Sequence, residues 1–173
     1  MDKLPLPEGY QLRRGERCDR ALLFKFLVAT YEELFPEQPD FSHLSHTLGH
    51  YFSGETPTWW IDATDPTPVA VAGIWVGSAI DQATSDRTAH IFWLYVSPSH
   101  RQLGLAKYLL SQAEVWAARK GFNRISLQTF SQNQAALNLY ATSGFETQSL
   151  LMSKPVDQSL SSIQSGIPAA VNN

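Results

Sequence analysis

One stretch constrains the fold of this chain more than any other: Val96 to Leu110, VSPSHRQLGLAKYLL. The β-branched and aromatic run Ile91 to Val96 stops at Pro98 and reads as a buried strand. A short polar turn follows, and from Leu105 the apolar spacing becomes helical. A strand that feeds a tight turn into a helix N-terminus leaves backbone N–H groups without intrahelical partners. Together with the positive end of the helix dipole they form a site for phosphate or pyrophosphate. Gly104 lets a ligand approach the backbone, small Ala106 avoids crowding it, and Arg101 adds a positive charge at the mouth. A Walker A loop or a dinucleotide fingerprint would need more glycines at other spacings.

The elements before this stretch run in a different order from those after it. Tyr10 to Arg14 is a first strand, ended by Gly15. Asp19 caps a helix to about Leu34, with Leu23, Phe26, Leu27 and Leu34 on one face, and Pro36 and Pro39 stop it. A second helix covers about Ser42 to Phe52. Thr58 to Asp62 and Val69 to Val76 pair as a hairpin, Ser78 to Arg87 is a loop, and Thr88 to Val96 is the strand that enters the key turn. Beyond it come a helix from about Gln102 to Lys120, a strand from Arg124 to Phe130, a helix from Asn133 to Ser143 and a final strand from Thr147 to Lys154. This order predicts a single α/β domain over residues 1–155, with a mixed sheet, antiparallel at first and parallel around the key strand, flanked by about four helices. Residues 156–173 turn to Ser, Gln, Asn and Pro and read as a tail, either flexible or an arm on the core or a partner. Because the chain after Phe145 is short, Ser159 to Ile167 is expected to pack on its own core or on a neighbour within a homodimer.

Three further features join Arg101-x-x-Gly104-x-Ala106. Gly73 sits in the apolar strand Val-Ala-Gly-Ile-Trp-Val, Asn133-x-x-Ala136-x-x-Leu139-Tyr140-x-x-x-Gly144-Phe145 forms a later helix signature, and Met152-Ser-Lys154 closes the series. In this order and spacing the chain resembles the GNAT superfamily of N-acetyltransferases over roughly Val69 to Lys154. The resemblance implies an acetyl-CoA co-substrate in a V-shaped gap between the key strand and the strand ending at Phe130. Backbone groups near Leu94 and Val96 would bind the pantetheine and thioester carbonyl, with an oxyanion donor at a strand bulge near Val96. The N–H groups of Gln102, Leu103, Gly104, Leu105 and Ala106 would take the pyrophosphate. Asn133 would hold the pantetheine arm, beside a second use as a helix N-cap. Tyr140 would face the sulfur as general acid, beside a second reading as an aromatic core anchor. The implied reaction moves an acetyl group to a primary amine, on a small molecule or a protein, by direct attack in a ternary complex. A coenzyme A-binding regulatory module without turnover is the alternative.

That reaction needs a base for the amine proton. Some members carry a Glu six residues before the Val that ends the key strand; here His90 stands there, and an imidazole can serve as base or as an ordinary polar strand residue. Gln128 replaces a Glu that enzymes acting on protein N-termini often carry, which argues against that class. Glu32, Glu33, Glu37 and Asp40, with Trp59, Trp60, Trp75, Trp93 and Tyr95, suggest an acidic and aromatic pocket for a cationic amine, or a solvated helix end above core aromatics.

Composition removes other classes. A hydrophobic content of 43% with 5 Trp, 6 Tyr and 9 Phe fits a packed globular domain. A net charge of −3 leaves no footprint for nucleic acid. Cys18 is the lone cysteine, so no internal disulfide or cysteine-based zinc site is expected. His43, His46 and His50 share a helix face at metal-compatible spacing, but no nearby carboxylate or cysteine completes a site, so the reading is a solvated face, or some of these imidazoles line an acceptor pocket, and no metal is expected. Residues 1–9 lack the apolar core of a signal peptide, and no run reaches the roughly 18 apolar residues of a membrane span. A cytoplasmic protein is the expectation.

Overall fold

The computed structural model describes residues 5–81 and 84–157. The expected arm from Ser159 to Ile167 lies outside them. The elements are β1 (Tyr10–Arg14), α1 (Arg20–Leu34), α2 (His43–Tyr51), β2 (Thr58–Ala63), β3 (Val69–Ile80), β4 (Arg87–Val96), α3 (Leu105–Arg119), β5 (Ile125–Leu127) and α4 (Gln134–Thr142), with short 3-10 turns at Arg17–Asp19 and Pro98–His100. Five strands form one sheet in the order β1-β2-β3-β4-β5. The first three pairings are antiparallel, and β4 and β5 run parallel. The parallel step follows from the α3 crossover, because two strands joined through a helix on one face emerge in the same direction.

Each face of the sheet buries its own core. On one side α3 contributes Leu105, Leu109, Leu110 and Ala113 against Ile61, Ile74, Val76, Ile91 and Val96. On the other, α1 and α2 set Leu23, Phe26, Leu27, Leu44 and Leu48 over Trp60, Trp75 and Trp93. Gly73 makes the second core possible. A Cβ there would lie 2.6 Å from the Trp60 ring and 3.0 Å from the Trp93 ring, so a side chain at this position would displace two buried indoles. Trp93 donates its indole N–H to Thr30 Oγ1 at 2.9 Å, which fixes α1 to β4.

A β-bulge decides what β4 presents. Trp75 faces Trp93 and the adjacent Val76 faces Ile91, so Phe92 is an extra residue with no opposite number. Phe92 and Trp93 therefore both join the α1/α2 core, and the alternation of β4 reverses at this point. The bulge expected near Val96 lies at Phe92 instead.

Three other expectations are corrected. Thr147 to Lys154 forms no strand: Leu150, Leu151 and Met152 are 80%, 93% and 87% exposed, with no sheet neighbour to cover them. The strand expected over Arg124 to Phe130 shrinks to Ile125–Leu127, because the chain leaves the sheet where β4 and β5 part. Asp19 stands at the N-cap of α1 but makes no cap bond to the helix. Its carboxylate accepts from Arg13 at 2.8 Å and from the Glu16 N–H at 2.8 Å, and Arg13 also reaches buried Asp62 at 3.0 Å.

Candidate active site

β4 and β5 pair only at Ala89↔Ile125, His90↔Ser126 and Ile91↔Leu127. Past Ile91 the strands splay, and the β5 side of β4 is left without a strand partner. The bulge selects which backbone groups line this gap. The Ala89 N–H donates to Arg124 O on the β5 side, whereas the Ser97 N–H donates to Val71 O on β3. Stepping back from Ser97 by twos turns Tyr95 and Trp93 toward β3, so Leu94 and Val96 direct their N–H and C=O groups into the gap. Without the extra residue Trp93 and Tyr95 would take those places.

The gap leads to the turn before α3. Gln102 and Gly104 both adopt positive φ, 63° and 79°, and Gly104 is the N-cap of α3 with no side-chain cap bond. Among the described residues, the N–H groups of Gln102, Leu103, Gly104, Leu105 and Ala106 find no hydrogen-bond acceptor. Leu105 buries its side chain in the core, and a Cβ on Gly104 would meet nothing within 4 Å, so the loop offers its backbone outward. Unpaired donors at a helix N-terminus fit an anion as large as a pyrophosphate.

Arg101 does not offer a free charge to that anion. Its Nη1 and Nη2 each donate to a Glu33 carboxylate oxygen at 2.6 Å, its Nε donates to Val96 O at 2.9 Å, and its guanidinium lies 5.6 Å from the Tyr95 ring centroid. The hydrogen bonds from Arg101 hold the Glu33 carboxyl below the ordinary range. The positive charge expected from Arg101 at the mouth is thus shared with Glu33. Of the two readings of the acidic and aromatic residues, the solvated helix end above core aromatics fits Trp60, Trp75 and Trp93, which are core residues, while Glu33 is paired and Asp40 accepts from Ser42 at 2.8 Å.

The remaining candidates divide between the two faces. His90 sits on the next-to-last β4–β5 rung, its Nδ1 2.9 Å from Ser126 Oγ and its ring 5.1 Å from Phe92 on the α1/α2 side. Burial lowers its pKa, so the imidazole is neutral at pH 7. Tyr140 packs against the α3 core, its ring edge-on to Phe145 at 5.6 Å, and burial pushes its pKa up to about 12. Asn133 caps α4, its carboxamide oxygen accepting from the Ala136 N–H at 3.1 Å, which leaves its NH2 group for a ligand. Two concavities elsewhere, one around Arg14, Arg17, Ser53 and Thr58 and one around Cys18, Phe24, Ser45 and Leu48, do not adjoin the gap. Cys18 is exposed in the turn before α1, and among the described residues no three His, Cys, Asp or Glu side chains converge as a metal site.

A splayed parallel strand pair that opens onto an uncapped helix N-terminus agrees with the sequence profile of the Acetyltransferase (GNAT) family, which matches residues 21–145. The chain belongs to this family. Among curated relatives, this GNAT chain is 30% identical over 84 residues to the uncharacterized N-acetyltransferase YycN of Bacillus subtilis, covering 49% of this chain and 53% of YycN. It is 26% identical over 104 residues to N-acetyltransferase 8 of Homo sapiens, covering 60% of this chain and 44% of that protein. The matches thus span about half the length of these relatives or less. Among solved structures, the aminoglycoside acetyltransferase AAC(6')-Iy in complex with the bisubstrate analogue CoA-S-monomethyl-acetylneamine superposes with a TM-score of 0.64 at 19% identity, covering 86% of this chain and 98% of that one. A GCN5-related N-acetyltransferase from Ralstonia eutropha JMP134 gives 0.61 at 24% identity, covering 86% and 99%. These likenesses establish the fold.

Sequence reasoning found the strand, the loop and the later Asn/Tyr helix, but missed Ser126 beside His90 and Glu33 against Arg101. Neither pairing leaves a local signal, since the partners lie 36 and 68 residues apart. Among the described residues no helix is long and apolar enough to cross a membrane.

Proposed function

We propose that this chain is an acetyl-CoA-dependent N-acetyltransferase that moves an acetyl group to a primary amine by direct attack in a ternary complex. The observation that carries the reading is the continuous backbone path from Leu94 and Val96 in the gap to the unpaired N–H groups of residues 102–106. Its first part suits an amide-rich arm and a thioester carbonyl, its second a pyrophosphate. Bound acetyl-CoA supplies a thioester carbonyl activated toward nucleophiles.

The chain's own groups cover the remaining needs. The ammonium first loses one proton, the amine nitrogen attacks the carbonyl carbon, the C–S bond breaks, the nitrogen sheds a second proton to solvent as the amide forms, and the sulfur gains one. An alkylammonium has a pKa of about 10.4, so a base must first free the lone pair. Neutral His90, on the α1/α2 face, takes that proton directly or through water. Backbone N–H groups at Leu94 and Val96 stabilise the oxyanion. Asn133 donates its amide to the pantetheine arm. Tyr140, on the opposite face, hydrogen-bonds the departing sulfur. With its pKa near 12, a complete transfer to a thiolate whose acid titrates near 8.5 would run uphill by on the order of 5 kcal/mol. Tyr140 therefore stabilises the thiolate by donation and keeps its proton, a smaller role than general acid, and the thiolate takes its proton from solvent as coenzyme A leaves. The acceptor class is a small molecule or protein amine, and the amine-containing analogue held by AAC(6')-Iy supports the first.

Thiol release from acetyl-CoA across a panel of primary amines tests the proposal. Acceptor-dependent release is the expected result. Binding of acetyl-CoA with no release for any amine would replace it with the coenzyme-binding regulatory module.

A further inference from the structure

The last turn of α1 touches both limbs of the gap. On the β4 limb, Glu33 holds Arg101 through two parallel hydrogen bonds of 2.6 Å, and Arg101 is itself fixed to Val96 O and over Tyr95. On the β5 limb, Gln132 Nε2 donates to Leu34 O at 3.0 Å. Leu34 ends α1, so its carbonyl belongs to the helix terminus that lacks intrahelical donors, and Gln132 satisfies it. Beside that bond Phe130 meets Phe35 edge-on at 4.9 Å and Tyr31 at 6.2 Å. The loop after β4 and the loop after β5 are thus fastened to adjacent residues of one rigid helix.

We infer that the end of α1 is a tie across the mouth of the β4–β5 gap, with Glu33 and Gln132 as positioning residues that set its width. The inference rests on the proposed reading of that gap as the coenzyme site. A bidentate guanidinium–carboxylate pair fixes orientation as well as distance, which a single lysine contact would not. The side chains of Arg101 and Glu33 are 40% and 44% exposed, so the pair adds little to global stability. Its effect is local: with both loops held, the N–H groups of residues 102–106 and the Asn133 amide keep one separation, and a ligand that spans them need not order either loop on binding. Arg101 acts here through Glu33, not as a phosphate ligand. These two roles predict opposite results when Glu33 loses its charge.

The first measurement is made without coenzyme. Hydrogen exchange of Glu33→Gln should be about two- to fivefold faster than wild type at the hydrogen-bonded amides of His100, Arg101 and Tyr108 and also at those of Asn133 and Gln134 on the far limb. Gln132→Ala should give the reciprocal pattern, with unchanged melting temperature in both variants. Acceleration confined to the loop nearest each substitution overturns the tie. The second measurement is calorimetric titration with acetyl-CoA. Each variant should bind about two- to tenfold more weakly, and the double variant no more weakly than the worse single one, since cutting either end releases the same tie. Tighter binding by Glu33→Gln would make Arg101 a phosphate ligand that Glu33 had sequestered, and additive losses would make the two contacts independent; either overturns the inference. If wild type binds no acetyl-CoA, the coenzyme reading fails, while the exchange result still decides whether the tie exists.

Discussion

His90 Nδ1 lies 2.9 Å from Ser126 Oγ, and the same hydroxyl lies 3.2 Å from Ala89 O. A serine has one proton to give. When Ser126 donates it to the Ala89 carbonyl, its oxygen accepts from Nδ1–H, and the imidazole lone pair is left on Nε2. In that arrangement the strand register that pairs His90 with Ser126 leaves Nε2 as the nitrogen open to a proton.

The pH dependence follows from burial. The imidazole pKa is lowered, so the rising limb of log kcat/KM should lie below the ordinary histidine value of about 6.5. His90→Gln should flatten that limb, and Ser126→Ala should move it while leaving acetyl-CoA affinity intact. The linked effect on stability has a definite sign. The unfolded chain binds the proton first, so stability is full above about 6.5 and falls as the pH drops through that value, and His90→Gln should remove this part of the acid destabilisation. Wild-type pH profiles in both variants would assign the base elsewhere.

Tyr140→Phe keeps the ring against Phe145 and deletes one donor. Turnover should fall about tenfold to a hundredfold, the worth of one hydrogen bond to a charged group, with acetyl-CoA affinity and melting temperature unchanged. Because the phenol titrates near 12, no limb from Tyr140 should appear in the neutral range. Turnover within a fewfold of wild type would leave Tyr140 as a core residue alone.

Gly104→Asp tests the loop before α3. The residue has φ 79°, which Asp tolerates better than most side chains, and a Cβ there has open space, so the fold should survive. A carboxylate beside the unpaired N–H groups should repel a pyrophosphate and weaken acetyl-CoA binding by at least about tenfold. Unchanged affinity would place the phosphates elsewhere.

Gly73→Ala probes the core under the site. With a Cβ 2.6 Å from the Trp60 ring, the variant should lose about 1–3 kcal/mol in denaturant unfolding. A neutral result would show that the indoles shift without cost.

Local patterns carried the fold, and long-range register carried the rest of the site. β1 matches its expected bounds because Gly15 ends an extended run, and α3 announces itself through Leu105, Leu109, Leu110 and Ala113. The bulge at Phe92 was hidden, since an insertion in β4 shows only against its opposite, Val76 and Trp75 on β3. The Glu33 partner of Arg101 was hidden because the sequence does not show that α1 ends beside the loop after β4. The short apolar run Leu150 to Met152 within Thr147 to Lys154 has the form of a strand, but a strand also needs a neighbour, and none pairs with it here.

The most direct test of the account is a hydrogen-exchange footprint of saturating acetyl-CoA on the full chain. Unpaired backbone N–H groups exchange freely until a ligand accepts from them. Bound acetyl-CoA should protect Leu94 and Val96 on β4 and residues 102–106 before α3, and should raise the melting temperature. Protection at neither segment, or only around Arg14 and Thr58 at the far end of the sheet, would contradict it.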